Sequence, residues 1–99
     1  MSYEVIVGLQ VDDEEMYANY RAGMTPMLTE SGGGFRYDFK VSEVLKSDVQ
    51  EPINRVFAIF FADKKSMKSF FSNPKYLEVK RKYFEDAVSA TTIISEYTR

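Results

Sequence analysis

The chain is 99 residues long, 44% hydrophobic and 28% charged, with a formal net charge of −2. That length and balance predict one folded domain over residues 1–99 with a modest core, and they exclude a disordered chain. The slight negative charge argues against a grip on a nucleic-acid backbone, and the lack of cysteine and histidine removes disulfides, a thiol nucleophile, a histidine-based triad and the commonest metal and haem ligands.

The chain opens on Met1-Ser2-Tyr3-Glu4, which has no basic region followed by an apolar one, and no apolar run approaches a membrane span. A soluble cytoplasmic protein is the expectation, with no cofactor, no metal, no nucleic-acid partner and no membrane partner. Tyr3 to Val11 alternates. Tyr3, Val5, Val7, Leu9 and Val11 share one face of a strand, and Glu4, Ile6, Gly8 and Gln10 share the other. Asp12 and Asp13 stand where a helix cap belongs, and Glu14 and Glu15 suit a helix's positive end. That reading is simpler than an all-carboxylate metal site. Met16, Tyr17, Tyr20, Met24, Met27 and Leu28 form the helix's apolar stripe. Pro26 removes the hydrogen bond to the Ala22 carbonyl and, with Gly23 nearby, predicts a kink. Ser31-Gly32-Gly33-Gly34 ends the helix. A phosphate-cradling loop would place its glycines before a helix, whereas these follow one.

Phe35 to Leu45 alternates again, with Phe35, Tyr37, Phe39 and Val41 on one face and Arg36, Asp38, Lys40 and Ser42 on the other. A polar face of that kind suits an edge strand. Lys46 to Pro52 reads as a polar connector. Val56 to Ala62 is a continuous apolar run, the pattern of a strand covered on both faces. Asp63 then caps a helix marked by Met67, Phe70 and Phe71. Asn73-Pro74 divides that helical region, with Asn73 as cap and Pro74 in the first helical position. Tyr76, Leu77, Lys80, Tyr83, Phe84, Ala87 and Val88 mark the inner side of the next helix, and Thr91 to Thr98, largely β-branched, is the last strand.

The order is β-α-β-β-α-β. Right-handed crossovers interleave two such halves into the α+β, ferredoxin-like arrangement, a four-stranded antiparallel sheet with helices on one face. The first and third strands are its centre. Phe57, Ile59 and Phe61 on one side of the third strand and Val56, Ala58 and Phe60 on the other are all apolar. Helices can cover only one of those sides. The other predicts a partner, and a second copy of the same sheet is the simplest one: a homodimer joined through the sheet face.

Met16-Tyr17-Ala18-Asn19-Tyr20-Arg21, Pro26, Gly32-Gly33, Arg55 leading into the strand that ends at Phe61, and Ser72-Asn73-Pro74-Lys75-Tyr76 together resemble a family of small uncharacterised proteins. It is the domain of unknown function 1330, within the dimeric α/β-barrel, ferredoxin-like superfamily. The resemblance spans nearly the whole chain. It implies the ferredoxin-like fold and a dimer, and it implies no reaction, since the superfamily includes cofactor-independent monooxygenases, haem enzymes, isomerases and ligand sensors. The family often carries a basic residue where Gly34 stands and an arginine where Tyr83 stands. Arg36 and Arg81 lie two positions from those places, and Arg36 is the better substitute because a strand shift of two keeps the face.

No catalytic constellation stands out. What remains is a set of tyrosines and arginines, from which Tyr20, Arg21, Arg36, Tyr76 and Tyr83 are the candidate ligand-binding residues. Tyrosine hydroxyls can orient a carbonyl or phenol, and an arginine can hold a carboxylate with two parallel hydrogen bonds. The competing explanation is that tyrosines at helical spacing are core and the arginines are surface ion-pair partners. Three functions follow: a metal-free enzyme acting on a small aromatic or carboxylate compound, a non-catalytic ligand-binding or sensing module, or a plain dimeric interaction protein. A buried cavity lined by Tyr20, Arg36 and Tyr76 would favour the first two over the third.

Overall fold

The computed structural model describes residues 1–99. Its elements are β1 (Tyr3–Val11), α1 (Glu14–Glu30), β2 (Gly34–Lys40), β3 (Arg55–Phe61), α2 (Lys64–Ser72), α3 (Pro74–Val79), a π-helical turn (Lys80–Phe84), α4 (Glu85–Ala87) and β4 (Val88–Thr98). The strands form one four-stranded antiparallel sheet in the order β2-β3-β1-β4. The two most apolar strands are therefore the inner pair, as expected of the ferredoxin-like fold.

Local chemistry starts each helix where the sequence predicts. Asp13 accepts from the Met16 amide at 3.0 Å, Asp63 from the Ser66 amide at 2.7 Å and Asn73 from the Lys75 amide at 2.8 Å, each satisfying a backbone donor that has no partner within its helix. α1 runs through Pro26 as one element. It ends at a glycine turn in which Gly32 has φ +87°, a conformation open mainly to glycine. The Gly33 amide donates to the Leu28 carbonyl at 3.0 Å. A Cβ on Gly33 would lie 2.6 Å from the Phe60 carbonyl oxygen, so close backbone approach, and no phosphate, explains that glycine.

The core lies between the helices and one sheet face. Tyr3, Val5, Val7, Leu9 and Val11 of β1 point into it as the alternation predicts, opposite Phe57, Ile59 and Phe61 of β3. Tyr17, Tyr20, Met24 and Leu28 of α1, Phe70 of α2 and Tyr76 of α3 cover them. The opposite sheet face carries Ala58, Phe60 and Val56, and on the outer strands it exposes Phe39 (55% accessible) and Tyr37 (61%). Those two rings stack at 5.8 Å.

Three expectations change. β2 does not alternate evenly: Phe35 pairs with Ile59, but a register shift follows, so Tyr37 pairs with Ala58 and Asp38 with Phe57. The extra residue is a β-bulge. It sends Phe35 and Asp38 to the helix side while Tyr37, Phe39 and Arg36 face the open side, so Arg36 and Asp38 do not share a face. The strand also stops at Lys40 rather than Leu45. β4 begins at Val88, earlier than Thr91, because pairing with β1 continues back to Val11. Finally, the last helix contains the π turn, whose wider i→i+5 bonding holds an extra residue. Phe84 packs inward against Tyr20, and Tyr83, also half-buried against the core, borders a separate groove with Gly23 and Val79. Leu77, expected inside, is exposed.

Candidate functional site

A cavity of about 400 Å³ lies between the helices and the sheet. Its floor is apolar: Val5, Val7 and Leu9 of β1 with Phe57 and Ile59 of β3. Tyr20, Arg21 and Met24 of α1, Met67 and Phe71 of α2 and Tyr76 of α3 form the walls, and Lys80, Phe84, Thr91, Ile93 and Glu96 complete the lining towards β4. Ile93 is 54% accessible although it pairs with core-facing Val7, so the helices leave the β4 side uncovered and the cavity opens there. A shallower groove of about 480 Å³ runs between the end of α1 and the start of α2. Its lining is mainly polar and open to solvent, which suits water better than an organic ligand.

Two buried hydroxyls meet inside. Tyr20 and Tyr76, 56 positions apart in sequence, bring their hydroxyl oxygens to 2.8 Å. The rings are 5% and 4% accessible. Burial pushes both phenols above their ordinary range, with the neighbouring Tyr76 adding to the effect at Tyr20, because a low-dielectric surrounding disfavours phenolate. Both stay neutral at physiological pH and each brings one proton. One proton satisfies the bond between them. The accepting hydroxyl's own proton has no further protein acceptor, so it is available to an oxygen on a molecule in the cavity.

Arg21 is placed differently from what a carboxylate clamp needs. Its Nε donates to the Tyr17 hydroxyl at 2.8 Å, and its terminal nitrogens donate to the two Asp38 oxygens at 3.0 and 3.3 Å. Arg55 donates to the same carboxylate at 2.8 and 3.0 Å and approaches Glu14 at 3.7 Å. Two cations and two anions therefore balance one another around Arg21, which alone of the four lines the cavity. Burial works to raise the Asp38 carboxyl, but the hydrogen bonds from Arg55 and Arg21 outweigh it and hold the group below the usual carboxylate range. The Arg21 guanidinium also lies 4.0 Å from the centre of the Phe35 ring, a cation–π contact that fixes the wall of the site.

The structure thus brings Tyr20, Arg21 and Tyr76 to one cavity and leaves out the other two candidates. Arg36 lies on the opposite sheet face, where it ion-pairs with Glu4, and its guanidinium sits 4.2 Å from the Phe60 ring centre. Glu4, only 2% accessible, also accepts from Tyr97 at 2.9 Å and Arg99 at 3.2 Å. Tyr83 is half-buried against the core but lines a different groove, not this cavity. Lys80, Glu96, Asp38 and Arg55 belong to the neighbourhood and were not singled out as site residues. Lys80 falls on the predicted inner side of its helix, which is a usable signal. The position of Asp38 depends on the bulge and leaves no local trace. The acidic residues form no group of three or more that could hold a metal ion.

The sequence profile of the family described as Domain of unknown function (DUF1330) matches residues 3–97. This chain belongs to that family. No curated protein matches the DUF1330 chain. Among solved structures it resembles a protein of unknown function from Rhodopseudomonas palustris, with 17% identity and a TM-score of 0.83 over 99% of this chain and 82% of the other. It also resembles a candidate antibiotic biosynthesis monooxygenase from Bacteroides thetaiotaomicron, at 16% identity and a TM-score of 0.67 over 98% and 89%. A third is a dimeric protein of unknown function with a ferredoxin-like fold from Bacteroides fragilis, at 10% identity and a TM-score of 0.57 over 99% and 96%. At such identities the likeness is one of fold. No helix in the DUF1330 chain is long and apolar enough to cross a membrane.

Proposed function

We propose that this DUF1330 chain is a cytoplasmic homodimer that binds a small, largely apolar and aromatic molecule through a carbonyl or phenolic oxygen. The reading is carried by one observation: a buried Tyr20–Tyr76 pair has a proton to spare inside an apolar cavity. Such a pair is a donor and not a base, because burial raises both phenols. The chemistry it supports is polarisation of a bound carbonyl, either for recognition alone or to ease proton loss from the adjacent carbon. The cavity favours a ligand-handling protein over a plain interaction module.

The test uses an aryl ketone, methyl 3-benzoylpropanoate, titrated against the isotope-labelled protein by NMR. Binding shifts the amides of Tyr20, Met24, Tyr76 and Ile93. The single change Tyr20→Phe weakens binding several-fold, and Tyr20→Phe with Tyr76→Phe weakens it about tenfold or more, with the dispersed spectrum of the fold retained. Retention of full affinity by the double variant would remove the tyrosine pair from the site.

The dimer reading rests on the apolar open face and on the B. fragilis relative described as dimeric. Exposed Tyr37 and Phe39 stand on that face beside half-buried Phe60 and Val56, and a stable interface needs such an apolar centre. Light scattering at micromolar concentration is expected to give twice the 11.5 kDa chain mass. Phe39→Glu, which places like charges across a face-to-face interface, is expected to give the chain mass.

A further inference from the structure

The cavity has an unbalanced cation. Lys80 is half-buried on the π turn and lines the cavity, yet it takes part in none of the molecule's five ion pairs. A lysine of intermediate burial lays its stem along apolar surface and keeps its ammonium free, so an unpaired one can meet an incoming anion. Its ammonium nitrogen lies 5.9 Å from the centre of the Phe84 ring. Phe84 in turn contacts Tyr20 with ring centres 4.9 Å apart, so lysine, ring and hydroxyl pair line one continuous wall. Arg21 is a poorer anion receptor, since its charge is already matched by Asp38 and three of its five N–H donors go to Asp38 and Tyr17. Glu96 also lines the cavity but is exposed, where water and salt screen its charge. Lys80 is less exposed than Glu96, so its charge is screened less.

We propose that Lys80 is a specificity-determining residue that selects an anionic ligand, an aromatic molecule carrying a carboxylate in addition to the oxygen received by the tyrosine pair. This rests on the ligand-binding reading above and narrows it to a substrate class. Lys80 and Phe84, four residues apart, share one face of the π turn and stand together at the cavity, which Tyr83 does not line.

The experiment compares 3-benzoylpropanoate with its methyl ester, which carries one added methyl group in place of the negative charge, by NMR titration at fixed ionic strength. The acid is expected to bind the unmodified protein about tenfold more tightly than the ester, the range of a charge-assisted hydrogen bond. Lys80→Gln abolishes that preference by weakening the acid about tenfold more than the ester. Lys80→Arg keeps most of it. Lys82→Gln, on the same helix but outside the cavity, keeps all of it, and added salt weakens the acid alone. Equal affinity for acid and ester in the unmodified protein overturns the role of Lys80; if the tyrosine variants still weaken both probes, the binding site itself stands. A preference that survives Lys80→Gln overturns the proposal as well, by assigning the selection to another cation. Failure of both probes to bind overturns both readings.

Discussion

Phe61→Ala is expected to lower the folding stability by about 3–5 kcal/mol, the range for truncating a buried aromatic. Phe61 is 1% accessible and ends the central strand β3 opposite Tyr3. Its ring meets Phe70 at 5.7 Å and Phe71 at 5.4 Å. Those two belong to α2 and contact Tyr76 at 4.8 and 5.3 Å. The substitution therefore leaves a void at the point where α2 and α3 are anchored to the sheet, and stiff aromatic neighbours collapse into it poorly. Small domains hold only about 5–15 kcal/mol in total, so the change removes a large share. Urea unfolding at one fixed protein concentration measures it, since assembly would make the apparent stability concentration-dependent. Phe61→Leu, which refills most of the volume, should lose less than half as much. A loss under about 1 kcal/mol for the alanine variant would mean that this ring is not the anchor.

Asp38→Asn is the second large effect, expected at roughly 1–3 kcal/mol. The side chains of Arg21 and Arg55 are 16% and 15% accessible and converge on this carboxylate. Neutralising it leaves two poorly hydrated guanidinium groups close together, with Glu14 at 3.7 Å from Arg55 as the remaining anion. The figure stays below that of a fully buried pair because Asp38 is 30% accessible and water can replace part of the loss. The pH dependence has a definite sign. The folded-state pKa of Asp38 is lowered, because the two arginines overcome the opposing effect of burial. Its stabilising contribution is then fully present above the ordinary aspartate value of about 3.9 and is lost as pH falls through the lower folded value. Glu4 shifts in the same direction: burial opposes ionisation, but Arg36, Tyr97 and Arg99 prevail. Unfolding curves between neutral and strongly acidic pH should show a steeper acid limb for the unmodified protein than for Asp38→Asn. Parallel limbs would remove Asp38 from the acid response.

The arginine pair also bears on the cavity. Arg21 is a wall and not a ligand clamp: its guanidinium is held on one side by Asp38 and faces Phe35 on the other. A charge that is already balanced offers a ligand little net attraction.

Most features whose cause lies within a turn of the chain are legible in the residues alone. The alternation of Tyr3 to Val11 needs only the strand period, and it assigns the core face of β1 without error. The caps at Asp13, Asp63 and Asn73 need only an amide two or three residues ahead. The glycines after α1 follow from a helix end that must turn back. Strand order followed because only two strands are apolar enough to lie inside. The tertiary structure decided the rest. The bulge in β2 exists because Phe35 and Asp38 both gain partners on the helix side, Phe57 for one and two arginines for the other. No pattern within β2 carries that information, so Asp38 was assigned to the wrong face. The π turn likewise sets Lys80 and Phe84 against a cavity whose walls come from four strands and three helices. Tyr20 and Tyr76 are each readable as core, yet their meeting across 56 residues is a fact of packing. A periodic pattern records which way a residue points, but a binding site depends on what it points at, and that is set by contacts between segments far apart in the chain.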